Sequence, residues 1–423
     1  MTRTRRLTAL LVMLVASTLA ADERWLPSKA HRIPRHTTSE ESGYFSLIEG
    51  HDKLLYIGTA KYQDNAYLVR FDPKTGEMKV VVDCEKEIGV DAKGFAAQAK
   101  IHTRNNVGKS GKIYFGTKQG YPTKDEPRLA YAGGYPMTYD PKSGETHVYP
   151  IPVPHHGISS ITPDESRNVA YLSTCSDERP IESAHFLILN LDDGTYRDLK
   201  DCRHMYAFIV VDHRGRAYHP VAGGQIARYD PDRDRLELLT QTIGGRAPKK
   251  DSRLADATPG PINWELSPDR KTLYAVAMST NAIFSYDLTD DGDTIHGKRL
   301  ATLLDDATKT DCRAFCVGPD GTLWMGINAK LKDGPERLRL VSYRPGDTSS
   351  FDHGAILISN PDYRSPTGPD GKALSHQHGV HPSGPDGALI PRYVVMAICA
   401  TGKDRVFLTT LYPFTLHEIR AAR

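Results

Sequence analysis

An all-β, seven-bladed β-propeller of four-stranded antiparallel blades is predicted by three observations. An aromatic strand motif returns seven times, Asp/Pro/Gly turns separate the strands, and helical periodicity is scarce. The composition suits such a fold. The 423 residues are 39% hydrophobic and 25% charged, as in globular proteins, and their number fits two average domains or one large all-β domain. Lys and Arg number 54 against 52 Asp and Glu, a formal net charge of +2. That balance argues against a broad nucleic-acid surface, which needs a basic excess.

The motif is a small or apolar residue, an aromatic and an apolar residue. It is centred on Tyr56, Tyr114, Tyr171, Tyr218, Tyr274, Trp324 and Phe407. Most copies lie roughly 47–58 residues apart, the length of a propeller blade with insertions. A second strand follows each copy and often ends in aromatic-Asp-Pro, as in Phe71-Asp72-Pro73, Tyr139-Asp140-Pro141 and Tyr229-Asp230-Pro231. The Asp-Pro-Lys-Thr-Gly and Asp-Pro-Lys-Ser-Gly segments supply turn chemistry: Pro sets φ, Asp bonds nearby backbone and Gly takes positive φ. An apolar strand precedes each copy, so each repeat holds four strands, a to d from the axis outward.

The last repeat stops at Ile419-Arg420 without an outer strand. Residues Trp25 to Arg35 are expected to supply it and close the ring, which removes an open sheet edge. Connections a–b and c–d are short, whereas 84–99, 118–134, 176–184, 244–261, 305–311, 330–337 and 361–392 are expected as long b–c or d–a loops. In a meander these share one end of the ring, the expected working face.

Residues 1–21 read as an export signal: Arg3, Arg5 and Arg6, an apolar run from Leu7 to Val15, and small residues before Ala21. Arg5-Arg6 also admits a twin-arginine signal, though Thr8 and Ala9 follow it poorly. Residues 22–423 then form one domain, expected outside the cytoplasm (periplasmic or extracellular) with no membrane span. Six cysteines, Cys84, Cys175, Cys202, Cys312, Cys316 and Cys399, allow disulfides in an exported chain or serve as small buried thiols. Cys312 and Cys316, four apart on one strand, are expected on one face.

The N-terminal ends of the inner strands are unusually polar. Tyr44, His102, His155-His156, His204-Met205-Tyr206, Asn263-Trp264 and Arg313 fall there, and the neighbouring strand adds Lys118 and His219. Each has an ordinary reading: a single histidine is more often a satisfied structural residue, and Arg313 is a candidate bridge between carboxylates. Their convergence is what suggests a site. Imidazoles titrate near neutrality, and a guanidinium holds a carboxylate bidentately. A second group, His376-Gln377-His378 with His381, sets three imidazoles within six residues, a candidate for Zn²⁺ or Mn²⁺, but it matches no standard zinc spacing and reads better as surface histidines without metal. No cofactor is named by the sequence.

Several segments resemble the β-propeller polysaccharide lyases of the ulvan-lyase and oligogalacturonate-lyase type. They are Ala99-Lys100-Ile101-His102, Gly111 to Thr117, Tyr139 to Gly144, Val153 to Ile158 and Arg228-Tyr229-Asp230-Pro231, densest over residues 95–235. The resemblance implies β-elimination on a uronate-containing polysaccharide. It makes His102 a base or positioning residue, Tyr206 an acid or combined acid and base, and His156 an assistant. Arg313 or Arg228 would clamp the carboxylate. Lys118, His219 and Trp264 are expected to bind substrate from their place at the mouth, not from the resemblance. Lys118 stands where such lyases tend to carry a second histidine, a departure from the family pattern. The alternative is a non-catalytic propeller that binds a glycan or a protein through the same loops. A metal-dependent lactonase would want carboxylates at the strand starts, and a quinoprotein would want an aromatic platform there.

Overall fold

The computed structural model describes residues 23–39, 42–176, 183–203, 208–246, 263–276, 281–364, 367, 377 and 379–421. The expected export signal lies outside them. Every copy of the aromatic motif falls on a strand, and each such strand is the second of an antiparallel meander, named below by its aromatic residue.

The Tyr56 meander runs Ser42–Glu49, Leu55–Thr59, Tyr67–Phe71 and Met78–Asp83. In the Tyr114 meander the inner strand is broken. Lys100–Ile101 and Asn106–Val107 both pair with Ile113–Lys118, which continues to Pro136–Tyr139 and Thr146–Val148. The Tyr171 meander is Gly157–Asp164, Val169–Cys175, His185–Asn190 and Tyr196–Asp201. The Tyr218 meander is Val210–Val211, Ala217–Val221, Gln225–Asp230 and Arg235–Ile243, and the Tyr274 meander Asn263–Leu266, Thr272–Val276, Ala282–Asp287 and Thr294–Thr302. The Trp324 meander is Ala307–Val317, Leu323–Leu331, Glu336–Tyr343 and Phe351–Ile358.

The Phe407 meander, Val394–Ala400, Arg405–Thr410 and Thr415–Arg420, takes its outer strand from the other end of the chain. Trp25–Arg32 pairs antiparallel with it, from Ser28↔Ile419 to Arg32↔Thr415. Trp25 to Ser28 also pairs parallel with Ala355 to Ile358 of the Trp324 meander. A second parallel pairing, Thr240 to Ile243 with Thr294 to Gly297, joins the outer strands of the Tyr218 and Tyr274 meanders. Each pairing occupies backbone groups that would otherwise form an open edge.

Inner strands pack against inner strands: Ser42–Glu49 on Val394–Ala400, that strand on Ala307–Val317, and Ala307–Val317 on Asn263–Leu266. Side chains bond across these seams. Ser160 Oγ accepts from the Ile209 amide at 3.1 Å, and Glu265 Oε2 from the Val317 amide at 3.0 Å. The apolar cores lie between adjacent sheets. Phe71, Phe407 and Leu416 share one, and Tyr56, Phe115 and Met137 another. Three of the buried motif tyrosines anchor their hydroxyls at a–b turns: Tyr56 donates to Asp52 at 2.7 Å, Tyr114 to Glu165 at 2.8 Å and Tyr218 to Asp212 at 2.9 Å.

The turns behave as their chemistry dictates. Asp72 and Asp140 accept from the amides of Lys74 and Lys142, and Gly76 and Gly144 take φ of 80° and 77°. The segment 84–99, expected as a loop, contains a short helix, Cys84–Ile88, capped by Asp83. Two other expected loops are largely strand. Ala307 pairs with Leu331 and Lys330 with Glu336, so 305–311 and 330–337 extend the Trp324 sheet.

The thiols fit the second of their two readings, small buried thiols, and depart from expectation at one pair. None of the six cysteines is in a disulfide. Cys312 and Cys316 do not share a face, because a register shift between Cys312 and Ala314 turns the strand over. Cys312 packs with Met325 and Ile327, and Cys316 packs with Trp324 and Ile398.

Candidate functional site

At the long-loop end, the short strand Lys100–Ile101 sets Lys100 directly opposite Lys118. Opposed residues of an antiparallel pair point to one face, so two long basic side chains lie together, both fully buried. Burying such groups is costly without compensation. Aromatic faces supply part of it for Lys100, whose Nζ lies 5.5, 5.4 and 4.4 Å from the ring centroids of Tyr44, Tyr62 and Tyr121. The three phenols are tied together, Tyr44 to Tyr62 at 3.0 Å and to Tyr121 at 3.2 Å. Tyr121 is half exposed, at 52%, and carries this aromatic group to the surface.

His102 lies beside the pair. Its ring is 4.6 Å from Tyr44 and 5.4 Å from Phe45, and it is 2% exposed. Burial pushes its pKa well below the usual imidazole value, and the charges of Lys100 and Lys118 push it the same way. At neutral pH it is an uncharged ring. Lys118 also acts on His156, packing its stem where a Cβ on Gly157 would stand. Burial, with His185 next, brings His156 down to about 4. Its Nδ1 is 3.1 Å from Thr174 Oγ1 and its ring 5.4 Å from that of His185. His185 is in turn held by Asp198, Nδ1 to Oδ2 at 2.6 Å.

The fold therefore brings His102, Lys118 and His156 together. Tyr206 lies outside the described residues, as do His376 and His378. Arg313 stands on the loop-side half of its strand, bonded through Nε to both oxygens of Asp311 at 2.9 Å and stacked over Tyr393 at 5.1 Å.

Three other expected residues are taken up elsewhere. Arg228 binds Glu237 at 2.7 Å and the carbonyls of Asp291 and Gly292, on outer strands beside a short turn. Outward alternation along Gln225–Asp230 sends it there, away from the mouth. His219 is fully buried between Ser173, 2.8 Å from Nε2, and its neighbour's carbonyl, Pro220 O, 2.6 Å from Nδ1. Trp264 is a core side chain whose indole N–H bonds Phe208 O at 2.5 Å.

Several participants were not singled out from the sequence. Lys100, Tyr62 and Tyr121 carried a weak signal, a basic residue inside an apolar inner strand and tyrosines on flanking loops. Asp198 and His185 carried none, since cross-strand pairing made them neighbours. Arg104, in the break of the Tyr114 meander's inner strand, and Glu265, on the inner strand of the Tyr274 meander, meet at the axis. Arg104 donates to Trp264 O at 2.9 Å and to Phe315 O at 3.0 Å, 3.8 Å from Glu265 Oε2 and 4.8 Å from the Phe208 ring. Burial raises Glu265, partly offset by Arg104 and the Val317 amide. Among the described residues, no group of three or more His, Cys, Asp or Glu is arranged to hold a metal ion.

No family model matches the chain, and no curated protein matches it. Solved structures do. A fungal alcohol oxidase of the AA5 family in complex with copper superposes with a TM-score of 0.55 at 10% identity, over 94% of this chain and 76% of that one. U3-55K gives 0.51 at 9% identity over 93% and 98%, and a chain of a mitotic checkpoint complex 0.51 at 10% over 100% of both. Identities this low speak for the fold alone, an all-β, β-propeller-like architecture. Among the described residues, no helix is long and apolar enough to cross a membrane.

Proposed function

We propose that this chain is an exported, seven-bladed propeller of four-stranded blades that acts on an acidic polysaccharide at its long-loop end, cleaving a uronate chain by β-elimination. The observation that carries the reading is the buried pair Lys100 and Lys118 beside an uncharged His102 and three linked phenols. β-Elimination requires these functions. A positive group neutralises the uronate carboxylate, which makes the neighbouring C–H acidic. An uncharged base takes that proton, the ring carbon–oxygen bond to the next sugar breaks, and an acid protonates the leaving oxygen as a carbon–carbon double bond forms. Lys118 and Lys100 fit the first role and His102 or His156 the second. Tyr206 takes the third by resemblance. The exposed Tyr121 ring offers a face on which a sugar stacks.

One observation favours a second reading, a binding propeller without catalysis: His102, Lys100 and Lys118 are covered rather than open. Incubation with ulvan and polygalacturonate, followed by ultraviolet absorbance of the unsaturated uronate, separates the two. Growth of that absorbance, lost in His102→Ala and Lys118→Met, supports the lyase. Binding of the polymers with no absorbance change supports the binding propeller, and neither signal removes both.

A further inference from the structure

We propose that the axial cavity at the short-turn end, between Arg104, Glu265 and Phe208, binds a single-ring polyhydroxyl ligand, a neutral monosaccharide or a cyclic polyol. The cavity has a volume of about 350 Å³ and opens between the a–b turns that carry Ser267, Arg270 and Gly318. A small-molecule pocket is typically ~300–1,000 Å³, so this one, at the small end and with a wall more polar than apolar, suits one hydroxylated ring.

Its polar groups are fixed. The Arg104 guanidinium is held by two backbone carbonyls and faces Glu265, and the Glu265 carboxylate is anchored through Oε2 by the Val317 amide. One third of the Glu265 side chain remains exposed, at 33%, on the cavity wall. Ser160 and Thr162 add hydroxyls already oriented by the Ile209 backbone. Phe208, Val210 and Leu266 supply the apolar wall.

This pattern selects the ligand class. Arg104 is already matched by Glu265 and two carbonyls, so an anion gains little there and would meet the Glu265 carboxylate. The absence of a metal-holding group among the described residues gives a cation no ligand set. A sugar or cyclic polyol has hydroxyls to donate to Glu265 and to exchange with Ser160 and Thr162, and C–H faces for Leu266 and Val210. The site lies at the opposite end of the ring from Lys118 and does not depend on the lyase reading.

Calorimetric titration of the full chain with methyl β-glucopyranoside and with myo-inositol tests the proposal. Saturable, millimolar binding of at least one probe is expected. Glu265→Gln should weaken it about tenfold, the loss of a charged acceptor. Filling the hollow by Val317→Trp or Leu266→Trp should abolish it, judged on whichever variant keeps the parent melting temperature. The proposal is overturned if neither probe saturates, or if binding survives in a folded filled variant.

Discussion

Arg104 and Glu265 meet at the axis from sheets far apart in the sequence, Nη1 to Oε2 at 3.8 Å, with Arg104 also bridging the carbonyls of Trp264 and Phe315. One side chain thus ties the Tyr114 meander to two others across the ring. Removing it strands Glu265 and two carbonyls, so Arg104→Met should cost about 3 kcal/mol in urea unfolding. Arg197→Ala, which removes a surface pair with Asp234, should cost less than about 1 kcal/mol. Equal losses would show that the axial pair holds nothing together.

Ring closure should be sensitive to acid. His417 is fully buried, with Ser28 of the closing strand 3.0 Å from Nδ1 and Thr410 2.8 Å from Nε2. Ser28 gives its own proton to Leu357 O, so the ring donates from Nδ1 and accepts at Nε2. Burial depresses its pKa to about 3, and that of His156 to about 4, from 6.5. A base depressed in the fold binds protons more readily when unfolded. Stability should therefore be level above about pH 6.5 and fall as pH drops through 4 toward 3. Thermal melts across that range check this, and His417→Gln should flatten the acid limb relative to the parent.

The cysteines should be inert. Burial raises every thiol for which a shift is resolved, with Cys202 and Cys399 near 12. The folded protein should react negligibly with a thiol reagent at neutral pH, and the denaturant-unfolded protein should titrate six thiols without prior reduction. Fewer than six would reveal a disulfide.

Tyr121 should matter for binding more than for folding. At 52% exposure its truncation leaves little cavity but removes the ring nearest the Lys100 ammonium, so Tyr121→Ala should lower the melting temperature modestly. Loss of the stacking face should weaken retention on an acidic polysaccharide matrix by roughly tenfold, the worth of one aromatic contact. Unchanged retention would remove the aromatic face from the proposed site.

Much of the strand order was legible because the repeat is local. Each aromatic motif, from Tyr56 to Phe407, carries its own strand and turn chemistry, and the missing outer strand announced the Trp25–Arg32 closure. Cys316 was misplaced because alternation assumes an unbroken register, and the shift near Ala314 is a tertiary adjustment that no residue there signals. Arg228 and Trp264 look like site residues in a list of polar and aromatic side chains. Only packing showed one spent on Glu237 and the other in the core.

By itself, then, the amino-acid sequence determined the all-β class, the repeating strands and the place of closure, because periodicity and turn preferences act over a few residues. Tertiary structure alone decided which charges meet: Lys100 with Lys118, His185 with Asp198, Arg104 with Glu265. Those pairs arise from strand register and from the curvature that turns separate sheets toward one axis, and neither is written in any short stretch of chain.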